Sequence, residues 1–154
     1  MVPMRRKDRE ILPEAAMEIL KNGTYGVLSL VDPEDNPYGV PVSYAYEDGR
    51  IWFHGAIVGR KCDCIMNESK ASFCVVGQTE TLPDKFSTRY ESVIAEGKVR
   101  VLQKEEKLEG LRHILEKYAS AYMDKGTRYA IASLEHVNVW CMEELNISGK
   151  ARKG

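Results

Sequence analysis

The sequence predicts a mainly β fold: an antiparallel barrel of six strands with helical covers, forming a single domain over residues 1–154. Three observations carry this. Two alternating segments meet at Asp48-Gly49, and a two-residue Asp-Gly turn between such segments is the strongest short-range hairpin signal. Four further apolar or alternating runs are separated by turn residues and by stretches of helical spacing. No repeat, low-complexity tract or linker interrupts the chain, and 154 residues suffice for one core.

Taken in order, Pro13 to Lys21 predicts a helix, with proline in its first turn, Ala15, Ala16, Ile19 and Leu20 at helical spacing, and Gly23 ending it. Tyr25 to Val31 is an apolar strand closed by the turn Asp32 to Pro37. The hairpin follows. If Glu47 faces Arg50, Tyr46 faces Ile51, Tyr44 faces Phe53 and Ser43 faces His54. One face then holds Val40, Val42, Tyr44, Tyr46, Ile51, Phe53 and Gly55, as a core would. The other holds Pro41, Ser43, Ala45, Trp52, His54 and Ala56, the mixed chemistry of a binding surface.

Gly59 to Asn67 reads as a helix and Ala71 to Gly77 as a strand, and Gln78 to Tyr90 is polar and irregular. Glu91 to Gln103 is a long strand with a bend or bulge at Gly97. Lys104 to Tyr118 is a helix with Leu108, Leu111, Ile114, Leu115 and Tyr118 on one face, and a shorter helix covers Arg128 to Ser133. The last strand, Val137 to Leu145, alternates Val137, Val139 and Cys141 against Asn138, Trp140 and Met142.

Composition narrows the function. A net charge of −1 argues against nucleic acid, whose binding rests on cations that neutralise phosphates. No apolar run approaches the roughly 20 residues needed to cross a bilayer, and no apolar segment follows the charged amino terminus, so a cytoplasmic protein with no membrane partner is expected. Cys62, Cys64, Cys74 and Cys141 lack the paired spacing of a tetrahedral metal site, so free, partly buried thiols and no metal are expected.

The chemistry is carried by few residues. Gly59-Arg60-Lys61 opens a helix, where unpaired N–H groups, a close-approaching backbone and two cations favour an anion; the bland alternative is a solvated basic first turn. His54, mid-strand between Phe53 and Gly55, is either a core histidine satisfied by hydrogen bonds or a donor and proton source at a ligand. Trp52 and Trp140 are either core or stacking surfaces. No nucleophile elbow, Walker loop or dinucleotide fingerprint is present.

Together these residues resemble a known family. The order strand, Asp-Gly hairpin, Trp52-Phe53-His54-Gly55-Ala56, Gly59-Arg60-Lys61, helix and Lys70 to Val75 is similar to the pyridoxamine 5′-phosphate oxidase-like split-barrel flavoproteins. Met4 to Ile11, Gly26 to Ser29, Tyr38 to Tyr44 and Ser87 to Val93 resemble the 5-nitroimidazole reductase (Nim-type) branch, and the likeness spans residues 4 to 150. It implies a six-stranded split β-barrel that binds FMN between the subunits of a homodimer. Val40, Pro41, Val42, Ser43 and Tyr44 would border the flavin through backbone groups, with His54 and Gly55 on the next strand. Arg60 and Lys61 would hold the phosphate, Ser92 stands near a flavin-contacting position, and Trp140 matches a tryptophan contributed by the partner subunit. Residues 146–154 lack the arginine- and histidine-containing segment with which the oxidase binds its vitamin substrate, so that activity is not expected. The expectation is an FMN-dependent oxidoreductase that reduces a small aromatic acceptor such as a nitroimidazole, with His54 as catalytic residue. The rival reading is a non-catalytic module that binds flavin, or haem through His54.

Overall fold

The computed structural model describes residues 2–154, in which seven strands form one antiparallel sheet. Helix α1 (Pro13–Asn22) starts at a proline and precedes β1 (Gly26–Val31). Asp32 then folds the next turn, its Oδ1 accepting the N–H groups of Glu34 and Asn36 at 2.9 Å each. Beyond it run β2 (Pro37–Val42), β3 (Ala45–Glu47) and β4 (Arg50–Ala56). Asp48 and Gly49 both take positive φ (54° and 70°), the conformation that suits a two-residue hairpin turn. Helix α2 (Arg60–Asn67) leads into β5 (Lys70–Leu82) and β6 (Ser87–Val101). Helices α3 (Lys104–Tyr118) and α4 (Met123–Ser133) then pack together before β7 (Val137–Arg152).

The strand order is β2-β1-β5-β6-β7-β4-β3. Its two outermost strands, β2 and β3, are separated in the chain by Ser43 and Tyr44 alone. The sheet must therefore curl until its edges nearly meet, giving a barrel left open along one seam. Struts from α3 hold that seam: the Tyr118 hydroxyl accepts the Tyr44 N–H at 3.0 Å, and the Lys117 ammonium donates to the Tyr44 carbonyl at 2.9 Å.

The expected single strand through residues 37 to 47 is thus two strands, which makes seven rather than six. The Ala45–Trp52, Tyr46–Ile51 and Glu47–Arg50 register forms as expected. The Tyr44–Phe53 and Ser43–His54 pairs do not, because β3 begins only at Ala45 and the Tyr44 backbone groups are taken by Tyr118 and Lys117 of α3; on its other edge β4 pairs with β7, which sets Phe53 against Trp140 and His54 against Val139. Residues 78–90 are not irregular either. They form the outer part of the β5–β6 hairpin, with a single turn of 3-10 helix, Pro83–Lys85, at its tip. Gly97 does mark a register shift between β6 and β7.

Two cores result. Inside the barrel, Leu28, Phe73, Ala95, Ile51, Phe53, Tyr44 and Trp140 pack with α1 and α2 residues. Trp52, Leu102, Leu111, Ala130, Val139 and Cys141 form the second, under α3 and α4. Trp52 and Ala45 accordingly leave the expected binding face, which keeps only Pro41, Ser43, His54 and Ala56 exposed. All four cysteines are free thiols, three of them buried. Among the described residues no helix is long and apolar enough to cross a membrane.

Candidate cofactor site

The strongest concentration of binding chemistry lies where β4 ends and α2 begins. Gly59 caps the helix with φ 142°, a conformation that strains any other residue, and nothing lies within 4 Å of the space a Cβ would fill there. The backbone is thus open beside the first N–H groups of α2, which have no intrahelical acceptor. Arg60 stacks its guanidinium over the Tyr38 ring at 4.2 Å and reaches Asp32 Oδ2 at 3.4 Å. Lys61 lies back across β4, its Nζ 2.9 Å from where a Gly55 Cβ would stand and 5.7 Å from the centre of the Trp140 ring. Gly55 is therefore needed for Lys61 to lie against the strand.

His54 projects outward beside this pair and is exposed in the single chain. The protein around it lowers its pKa, and the nearby Lys61 charge lowers it further. At neutral pH the imidazole is thus mainly uncharged and serves as a hydrogen-bonding group. Burial also lowers the pKa of Lys61. Asp32 is held below the usual carboxylate range, first by the Asn36 N–H and to a smaller extent by Arg60. The resulting cradle has two cations, free helix N–H groups and a glycine on each side. Its donors suit a phosphate group, whose oxygens accept such bonds most strongly from charged partners.

The structure brings His54, Gly55 and Lys61 together, with Arg60 beside Lys61 on α2 but turned toward Asp32 and Tyr38, and it treats the other expected residues differently. Strand β2 lies at the sheet edge, so one side of its backbone at Val40, Pro41 and Val42 has no strand partner. The Val42 side chain points into the core, whereas Pro41 and Ser43 are exposed. Tyr44 offers a ligand nothing: its ring is fully buried, its hydroxyl donates to the Leu20 carbonyl, and its backbone groups are held by Lys117 and Tyr118.

Trp140 does not reach toward a partner subunit. Its register opposite Phe53 turns it into the barrel, where it is 2% exposed and stacks on Phe53 at 5.4 Å, forming a floor beneath Gly55 and Lys61. Ser92 stands apart from the cradle within one chain. His54 pairs with Val139, whose carbonyl accepts the Leu102 N–H, so Ser92 lies ten residues back along β6 from that level. That is an arc of about 30 Å.

Asp32 and Tyr38 are site residues that sequence reasoning missed. Their signal is the Asp32-Pro33 turn with an aromatic directly after Pro37, but only the β1–β2 pairing carries both to Arg60.

Residues 13–151 match the family model described as pyridoxamine 5′-phosphate oxidase. The fold is similar to that of a candidate 5-nitroimidazole antibiotic resistance protein from Bacteroides thetaiotaomicron, with TM-score 0.75 and 23% identity over 92% of this chain and 86% of that one. It is also similar to the flavocytochrome Anf3 from Azotobacter vinelandii, with TM-score 0.81 and 18% identity over 99% of this chain and 73% of that one. An FAD and heme binding protein from Mycobacterium smegmatis gives TM-score 0.79 and 16% identity over 95% and 74% of the two chains. No curated protein matches the sequence. At these identities the likeness to the solved structures is one of fold.

Proposed function

Because this chain belongs to the pyridoxamine 5′-phosphate oxidase-like family, we propose that it is an FMN-binding oxidoreductase of Nim-type chemistry, passing electrons to a nitroimidazole or another small aromatic acceptor. The observation that carries the reading is the cationic cradle at Gly59-Arg60-Lys61, set beside the exposed, neutral imidazole of His54. Bound FMN supplies the two-electron chemistry through its ring system.

In this reading the chain's own residues position and polarise. Arg60 is held in place by Tyr38 and Asp32, so its fork is oriented before a phosphate arrives. Lys61 adds a second positive charge, and its lowered pKa reflects what burial costs a cation with no anion near it. The free edge of β2 offers backbone groups at Val40, Pro41 and Val42 to the polar rim of a flat ring. His54 donates a hydrogen bond to the acceptor oxygen on which negative charge develops.

The outward face of the sheet supports a homodimer with the cofactor at its interface. Pro41, Val27, Cys74, Ile94 and Ser148 form one crosswise row over five strands, small or apolar throughout. Ile94 is 41% exposed and Val76, two residues along β5 from Cys74, is 59% exposed. A second copy stacked on this face would remove both from water and bring a distant Ser92 toward the first copy's cradle.

The test is reconstitution. Purified protein mixed with FMN and freed of excess ligand is expected to keep the flavin absorbance bands. Changing Arg60 and Lys61 together to alanine is expected to weaken FMN binding about a hundredfold, the effect of losing two charge-assisted contacts. His54→Ala is expected to retain FMN and to slow reduction of a 5-nitroimidazole. Absence of flavin retention, or a Soret band with added haem that His54→Ala abolishes, would replace this reading with that of a haem-binding module.

A further inference from the structure

Toward the turn end of the hairpin, away from the cradle, His113 of α3 is 89% shielded, with a side-chain exposure of 11%. Its ring lies tilted against Trp52, with centroids 4.9 Å apart. Both ring nitrogens are sealed from solvent and neither has a hydrogen-bond partner. A polar pair hidden in this way calls for an explanation.

The surroundings supply one for Nε2. Nε2 lies 3.5 Å from Glu109 Oε1, one turn earlier on α3, and 3.9 Å from Asp48 Oδ2 in the β3–β4 turn. The three donor atoms all fall within 4.8 Å of one another. No lysine or arginine among the described residues pairs with either carboxylate. Two negative groups therefore converge on an imidazole nitrogen with no fixed cation between them.

Distance separates two explanations. A direct imidazolium–carboxylate bond closes to about 2.7–2.9 Å, and both contacts are well beyond that. Three ligands on one four-coordinate ion, with bonds of about 2.0–2.2 Å, stand about 3.4 Å apart from each other. The 3.5 Å spacing of His113 and Glu109 matches the second arrangement, and Asp48, 3.9 Å from Nε2 and 68% exposed, has to move inward to complete it.

We propose that Asp48, Glu109 and His113 bind a divalent transition-metal ion, with water completing its coordination. One imidazole nitrogen and two carboxylate oxygens suit Zn²⁺, Co²⁺ or Ni²⁺; Ca²⁺ and Mg²⁺ call for all-oxygen shells of six or more. The ion ties the hairpin turn to α3. Strand β3 spans only three residues and pairs on one side alone, so this clip secures the weakest edge of the sheet. The inference is independent of the flavin reading.

The test uses the untagged full chain after chelator treatment, titrated with Zn²⁺ by calorimetry and with Co²⁺ by visible difference spectroscopy. One equivalent is expected, with Co²⁺ d–d bands, no thiolate charge-transfer band and a raised melting temperature. Asp48→Asn is expected to weaken binding at least tenfold with the far-UV circular dichroism unchanged, because asparagine tolerates the positive φ of that turn. His113→Gln should match it. Three results would overturn the site: no binding, affinity unchanged in Asp48→Asn, or a thiolate band that assigns the ion to cysteine.

Discussion

Lys117 shows at the scale of one residue how the seam is held. Its ammonium donates to the Tyr44 carbonyl at 2.9 Å and lies 3.7 Å from the centre of the Tyr44 ring, and burial pushes its pKa down to about 8 from 10.5. The depressed value means that the folded chain binds fewer protons than the unfolded chain between those two pH values. Stability from this group therefore rises as pH climbs from 8 toward 10.5. Urea unfolding is expected to show wild type gaining about 1 kcal/mol on Lys117→Met between roughly pH 8 and 9.5, once solvent screening of a half-buried charge is allowed for. Parallel pH profiles for the two proteins would contradict this. The helix start at Arg60 and Lys61 was legible because a glycine followed by polar residues and helical spacing is local information, whereas an anion-binding role for the pair rested on the family resemblance. Tyr44 and Trp140 were not, since the side a ring faces depends on which strand becomes its neighbour.

At the scale of elements, α3 sits unusually close to the sheet at Gly110. A Cβ added there would stand 2.8 Å from Val139 Cγ1 and 3.1 Å from Trp52 Cε3, both buried and without room to move. Gly110→Ala gains up to about 1 kcal/mol of helix propensity and incurs about 1–3 kcal/mol of overpacking. The net expectation is a loss of about 1 kcal/mol, seen as a melting temperature lower by a few degrees; a variant that melts higher would show that α3 has slack. Helix α3 was read from the sequence with its observed ends, because its apolar stripe repeats along a single helix. The β5–β6 arm was not. Between Gln78 and Tyr90 both strand faces meet solvent, so no alternation survives to mark it. Strands β2 and β3 were merged for a related reason: Ser43 and Tyr44 continue the alternation across the break, and only pairing with β1 or β4 divides them.

The whole molecule makes its own demand. Ser92 lies an arc of about 30 Å along the sheet from His54's level, so the proposed site draws on a second copy stacked on the exposed row if both residues are to meet one ligand. Light scattering after gel filtration is expected to give twice the chain mass of 17.4 kDa. Ile94→Asp with Val76→Asp is expected to give monomers that release FMN more readily. A monomeric wild type that still retained FMN would sever the cofactor site from dimerisation.

The seam also sets an order of events during synthesis. Strands β1, β2, β5 and β6 all emerge within the first 101 residues and pair among themselves. Strand β4 is complete by Ala56, yet its long partner β7 begins only at Val137, and the tyrosine that latches Tyr44 lies 74 residues downstream of it. On the ribosome a four-stranded sheet can therefore close early, while the β3–β4 hairpin waits with Ile51, Trp52 and Phe53 uncovered. The chain's most vulnerable interval falls between the appearance of these apolar residues and the arrival of its last strand.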